Sequence, residues 1–129
     1  MESTLRAALI DWLRSDGELA ASLNTVDEEA PSPAPAPSLA IAASAAADWS
    51  TKTARGREVR IALELSDRND DANRTASLAS RIEHRIATLP AVQQNFRLAV
   101  TQFLRSRTER RPRNMRAVLL EYRFKLLET

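Results

Sequence analysis

Apolar and polar residues alternate with period two along three stretches of this chain and recur with a period near 3.6 along two others. Val59, Ile61, Leu63 and Leu65 alternate with Glu58, Arg60, Ala62 and Glu64, which predicts a strand with one face on a core. Burying those four side chains contributes roughly 1.5–3 kcal/mol each before the entropy of ordering is counted. Phe96, Leu98 and Val100 alternate with Arg97, Ala99 and Thr101, and Val118, Leu120, Tyr122, Phe124 and Leu126 with Leu119, Glu121, Arg123 and Lys125. These patterns predict strands over Phe96–Arg107 and Met115–Leu127. Leu5, Ala8, Leu9, Trp12 and Leu13 instead line one side of a helix, with Ser3 or Thr4 suited to its N-cap and Asp16-Gly17 to its end. Leu19 and Leu23 fit a further short turn. Thr75, Leu78, Ala79, Ile82, Ile86 and Leu89 trace a second helical face, with Asp70 and Asp71 ready as caps and Pro90 as the stop.

The segments between these elements complete the architecture. Four prolines, at 31, 33, 35 and 37, recur at every second position after Asp27-Glu28-Glu29. They remove backbone donors and favour polyproline II, so residues 27–37 are expected to form an exposed, extended loop. Ser38–Trp49 is rich in alanine, but the proline run before it and the turn-like Ser50–Gly56 after it favour a strand that pairs with the next one. The expected order is α-β-β-α-β-β. That order predicts one α+β domain over residues 1–129, a four-stranded, mainly antiparallel sheet with one face packed on two helices.

Composition narrows the functional classes. At 129 residues the chain can bury roughly two-thirds of the surface that its unfolded form exposes. It has no cysteine, so disulfides and thiolate metal sites are excluded, and a reducing compartment fits. No apolar run approaches the ~20 residues of a membrane span, and the first turns lack the layout of a signal peptide, so a soluble, intracellular protein with no membrane partner is expected. Charge is distributed unevenly: residues 1–54 carry three basic and eight acidic side chains, residues 55–129 sixteen and nine. Seventeen of the nineteen basic residues are arginine, whose planar fork suits specific pairing with carboxylate or phosphate. An acidic half and a basic half suit nucleic-acid binding, and equally suit copies packing head to tail in a ring.

Candidate chemistry is sparse. His84, the only histidine, lies off the apolar line of its helix and is expected at the rim or in solvent. One histidine with scattered acids does not make a metal site, and Gly17 and Gly56 are too isolated for a phosphate loop. Asp27-Glu28-Glu29 flanks the proline loop, and Asp70-Asp71 is explained as a helix cap. No catalytic residue, cofactor or metal is expected, and the chain reads as a non-enzyme. What remains is the segment from Arg105 to Arg116, where Arg105, Arg107, Arg110, Arg111, Arg113 and Arg116 are opposed within it by Glu109 alone. Three readings stay open for these six arginines: a solvated tip that keeps a sheet edge from aggregating, an ionic interface with a protein neighbour, or contact with nucleic-acid backbone. Only Phe103 lies nearby as a stacking residue, which weakens the last of these.

Five short stretches carry a resemblance. They are Leu9-Ile-Asp-Trp-Leu13, Asp48-Trp-Ser-Thr-Lys52, Gly56-Arg-Glu-Val59, Phe103-Leu-Arg-Ser-Arg107 and Ala117-Val-Leu-Leu-Glu-Tyr-Arg123. In this order and spacing the chain resembles the small phage tail-completion proteins of domain of unknown function 3168, tail terminators that also occur in gene-transfer-agent clusters. The resemblance implies a structural virion protein without catalytic residues. It implies a ring, typically of six copies, that caps the tail tube and joins it to the head-proximal connector, with DNA at most passing through its lumen. It also implies assembly in the bacterial cytoplasm, followed by residence in the tail or neck of the particle. The Ala-Pro run and the arginine-dense Thr108–Asn114 loop, without an Asp-Gly turn, depart from the family pattern. The alternative is a small basic nucleic-acid-binding module using Arg105–Arg116.

Overall fold

A computed structural model describes residues 1–30 and 34–129. Pro31 and Pro33, half of the expected polyproline run, lie outside the described residues. The elements follow the order α1 (Glu2–Arg14), α2 (Gly17–Ser22), β1 (Thr25–Asp27), β2 (Ser38–Asp48), β3 (Gly56–Arg68), α3 (Ala72–Ala87), β4 (Phe96–Arg111) and β5 (Met115–Glu128). The strands form one mixed sheet in the order β1-β2-β3-β5-β4, in which β1 runs parallel to β2 and all other pairs are antiparallel.

The α+β class and the four antiparallel strands match the reading of the sequence. The count and order do not: a fifth strand, β1, and a third helix, α2, are present. Both are too short to carry a period. β1 has three residues with one buried side chain, and α2 has six with Leu19 alone buried. Each is specified by long-range packing. α1 also starts earlier than expected, at Glu2 with Met1 as N-cap, so neither Ser3 nor Thr4 serves as the cap.

The core lies between the helices and one sheet face. Leu5, Leu9 and Leu13 of α1 and Leu78, Ile82 and Ile86 of α3 meet Ile61, Leu63, Leu120, Phe124 and Leu126 of the central strands. Of the two expected caps, Asp71 serves, accepting a hydrogen bond from Arg74 N–H at 3.1 Å. Two devices hold α1 to α3. The Arg85 guanidinium lies 3.5 Å from the Trp12 ring centre, and each of these residues donates a side-chain N–H to the other's carbonyl, at 2.7 and 2.9 Å. Asp16 accepts two hydrogen bonds from Arg81, at 2.8 and 2.7 Å, so the residue expected only to end α1 also anchors α3.

Alternation alone misplaces Val100. A bulge at Ala99 pairs Leu98 with Leu126 but Val100 with Lys125, which turns Val100 to the face opposite the core. A second bulge at Leu104 shifts the phase again, so Phe103 lies opposite Tyr122 on the helix-facing side and Arg105 opposite Glu121 on the other.

Gly56 opens β3 where no side chain fits. A Cβ there would stand 2.4 Å from the Trp49 carbonyl oxygen and 3.0 Å from that of Leu126, both backbone atoms. Gly56→Ala is therefore expected to push the β2–β3 turn away from β5 and cost about 1–2 kcal/mol in urea unfolding. A variant as stable as the wild type would show that the turn yields freely.

Candidate functional site

β4 and β5 form a long hairpin in which the distal half of β5 is buried against the core while that of β4, the edge strand, is exposed. From Arg105 to Arg111 on β4, Glu109 alone is half-buried and the rest are exposed on both faces. The strand continues to Arg111, four residues past the predicted Arg107, so the connection is Pro112, Arg113 and Asn114 alone instead of a longer loop. Arg113 and Asn114 hold left-handed backbone, with φ of 62° and 57°. Asparagine tolerates that region, whereas an arginine there is uncommon and strained. The tip is tied down by Asn69 N–H, which donates to the Asn114 carbonyl at 2.8 Å.

The structure divides the six arginines into three groups. Arg105 and Glu121 are cross-strand partners joined by an ion pair, and the Arg105 guanidinium holds the Glu121 carboxyl below the usual carboxylate range. Arg107 pairs with Glu109 at 3.1 Å, and Arg111 reaches Glu109 at 2.9 Å and Glu64 of β3 at 3.1 Å. These three therefore knit the outer face of the sheet, where Arg123 and Glu58 add a further pair at 3.5 Å. Arg116 turns inward, hydrogen-bonded to Asn69 and, at 3.5 Å, to Thr75. Among the described residues, Arg110 and Arg113 have no ion-pair or hydrogen-bond partner for their side chains. Glu109 is the one carboxylate within the segment, and Glu64 and Glu121, outside it, reach the arginines from β3 and β5.

Asp67 was not singled out by the sequence. It sits at the end of β3, fully buried, and accepts hydrogen bonds from Arg74 (2.7 and 3.3 Å), Thr75 (2.8 Å) and Arg68 N–H (2.8 Å). Burial pushes its carboxyl up, but these donors outweigh burial and hold it below its ordinary value. Its only sequence signal was a polar residue in phase with the buried positions 61, 63 and 65.

His84 is exposed, as expected, on the rim of a groove of about 400 Å³ that Glu83, Thr101, Phe103 and Tyr122 also line. No hydrogen bond links His84 to Glu83 or Tyr122, and burial, followed by the charge of Glu83, pushes the Tyr122 hydroxyl well above its ordinary value. Among the described residues no three His, Asp or Glu side chains gather as a ligand set. No helix among the described residues is long and apolar enough to cross a membrane.

What the fold presents is a layer of helices on one face of a five-stranded sheet, with an arginine-rich hairpin at one edge. The chain belongs to the tail completion protein gp17 family, whose model matches residues 7–126. It is a structural protein of a phage-type tail. Its fold is shared with a chain in a solved structure described as the virion of a native gene transfer agent particle, with a TM-score of 0.83 and 23% identity over 99% of this chain and 97% of that one. No curated protein matches.

Proposed function

We propose that this chain is a tail terminator, whose copies close into a ring, six by the resemblance, that caps the tail tube and joins it to the head-proximal connector. Its role is structural, with no catalytic step. The observation that carries this reading is Arg113, a cation without a side-chain partner among the described residues, held in strained left-handed backbone at the exposed tip of the β4–β5 hairpin. A solvated tip has no use for that strain, since glycine or asparagine fits the backbone better. An arginine kept there is explained by a carboxylate on a neighbour. The half-exposed Leu119 and Leu127 on the outer sheet face add apolar surface that the same neighbour covers.

The nucleic-acid reading loses ground on the same geometry. Arg105, Arg107 and Arg111 are already paired with carboxylates and Arg116 is turned inward, so few charges are left to neutralise phosphates.

Light scattering on nucleic-acid-free protein, alone and mixed with tail-tube protein, tests the proposal. A species of ring mass in either condition is expected, and a monomer in both overturns it. Arg110→Ala combined with Arg113→Asn is expected to leave the thermal midpoint within about 2 °C of the wild type. The same variant should weaken association roughly tenfold or more. Unchanged association removes the hairpin tip from the interface.

A further inference from the structure

Both edges of the sheet are closed at one end and open at the other. β1 covers β2 only at Ser38–Ala40, which leaves the backbone of Ile41–Asp48 without a neighbouring strand on that side among the described residues. Residues 91–93 cover β4 only at its start, through the Val92–Arg97 bridge and the hydrogen bond from Leu98 N–H to the Ala91 carbonyl at 2.7 Å. From Ala99 to Arg111 the outer edge of β4 is open.

The usual protections of an open edge are charge, proline, bulges and shortness. The segment Ala42–Ala47, Ala-Ala-Ser-Ala-Ala-Ala, has no charge and no proline, and all of it is exposed. Its bulge lies at Ala42, so Ala43–Asp48 is regular strand. On β4 the bulges fall at Ala99 and Leu104, so Arg105–Arg111 is regular too. Each edge therefore offers a bulge-free run of comparable length, six residues on β2 and seven on β4.

We infer that these two edges join one copy of the chain to the next, the open stretch of β4 adding as a strand to the open stretch of β2. Strand direction favours this. Successive antiparallel pairings make β2 and β4 run in opposite directions. Repeating the sheet sideways without turning it over sets β4 of one copy antiparallel to β2 of the next, the pairing that every other long strand in the sheet already has. The contact is head to tail, using two different surfaces, the heterologous kind that closes into a ring when the rotation between copies allows.

Charge is complementary across the junction. Exposed Glu28, which pairs with Arg6 at 3.6 Å, and Glu29 flank the groove beside Ile41–Ser44. On β4, Arg110 is the arginine without a partner among the described residues, Arg105, Arg107 and Arg111 being paired within their own sheet. The small side chains of β2 let an arginine-bearing strand approach without a clash. Main-chain hydrogen bonds hold the junction and the charges set its partner, as in strand addition generally.

The inference rests on the ring reading, and hydrogen exchange separates the two. Amide exchange is compared between the assembled protein, formed alone or with tail-tube protein, and protein dissociated by dilution. Amides on the open sides of residues 42–48 and 99–111 are expected to slow by about tenfold or more on assembly. A ring-sized species with unchanged exchange at either stretch overturns the edge junction and leaves the ring standing. Absence of any oligomer in both conditions overturns both. Glu28→Arg with Glu29→Arg should weaken the assembly, and mixing this variant with Arg110→Glu protein should restore mixed oligomers. Failure to restore them removes the acidic pair from the junction.

Discussion

Phe124→Ala is expected to cost about 3–5 kcal/mol and to lower the thermal midpoint by more than about 10 °C. Phe124 is fully buried on β5, opposite Val59 on one side and Thr101 on the other, and its ring stacks near Tyr122 at 6.0 Å between centroids. Deleting it opens a cavity under the helices that backbone on both flanks prevents from collapsing. Phe103→Ala is the control on the same sheet face. That ring is 42% exposed and meets only the edge of Tyr122, at 5.4 Å, so its loss is expected to cost less than about 1 kcal/mol. Paired denaturant melts check both values. Equal losses would mean that the helices cover the sheet as far as Phe103, contrary to the geometry described.

The second large effect concerns acid. Asp67 is held ionised by Arg74, Thr75 and Arg68 N–H against its own burial, and Asp16 by its two hydrogen bonds to Arg81, again against burial. Both carboxyls lie below their ordinary values in the folded protein. Their contribution is complete above the unfolded carboxylate range, near pH 4, and is lost as pH falls through the lower folded values. Stability governed by these groups is thus expected to be level from about pH 7 to 5 and to fall steadily below about pH 4. Asp67→Ala removes the acceptor outright. Because Arg74 is 44% exposed and rehydrates on release, the loss is expected at about 2–3 kcal/mol, below that of a fully buried pair. Thermal melts across pH on the wild type and on Asp16→Asn with Asp67→Asn provide the test. An acid slope that is the same in both proteins would assign it to other carboxylates.

Legibility followed the range of the interactions involved. β3 and α3 were readable because each has a single buried face and an unbroken period, so Val59, Ile61, Leu63 and Leu65, and Leu78, Ile82 and Ile86, declare their burial by spacing alone. β4 was readable as a strand, but the facing of its side chains only as far as Leu98. Its bulges at Ala99 and Leu104 leave no mark in composition, because they follow from how the strand curves along β5. The arginine cluster was legible as a cluster and illegible as a site. Its free members, Arg110 and Arg113, are identical in kind to Arg105 and Arg111, and only cross-strand register decides which of them meets Glu121 or Glu64.

By itself the amino-acid order determined the α+β class, the four long strands and two long helices, a cap of α3 at Asp70 or Asp71, and the resemblance to tail-completion proteins. These rest on local propensity and on periods that a single segment carries. The tertiary structure decided the parallel strand β1, the phase of β4, the burial of Asp67, the left-handed tip at Arg113 and the open edges of β2 and β4. Each of those depends on which backbone lies alongside which, and that pairing is an energy of the whole sheet that no short stretch of sequence contains.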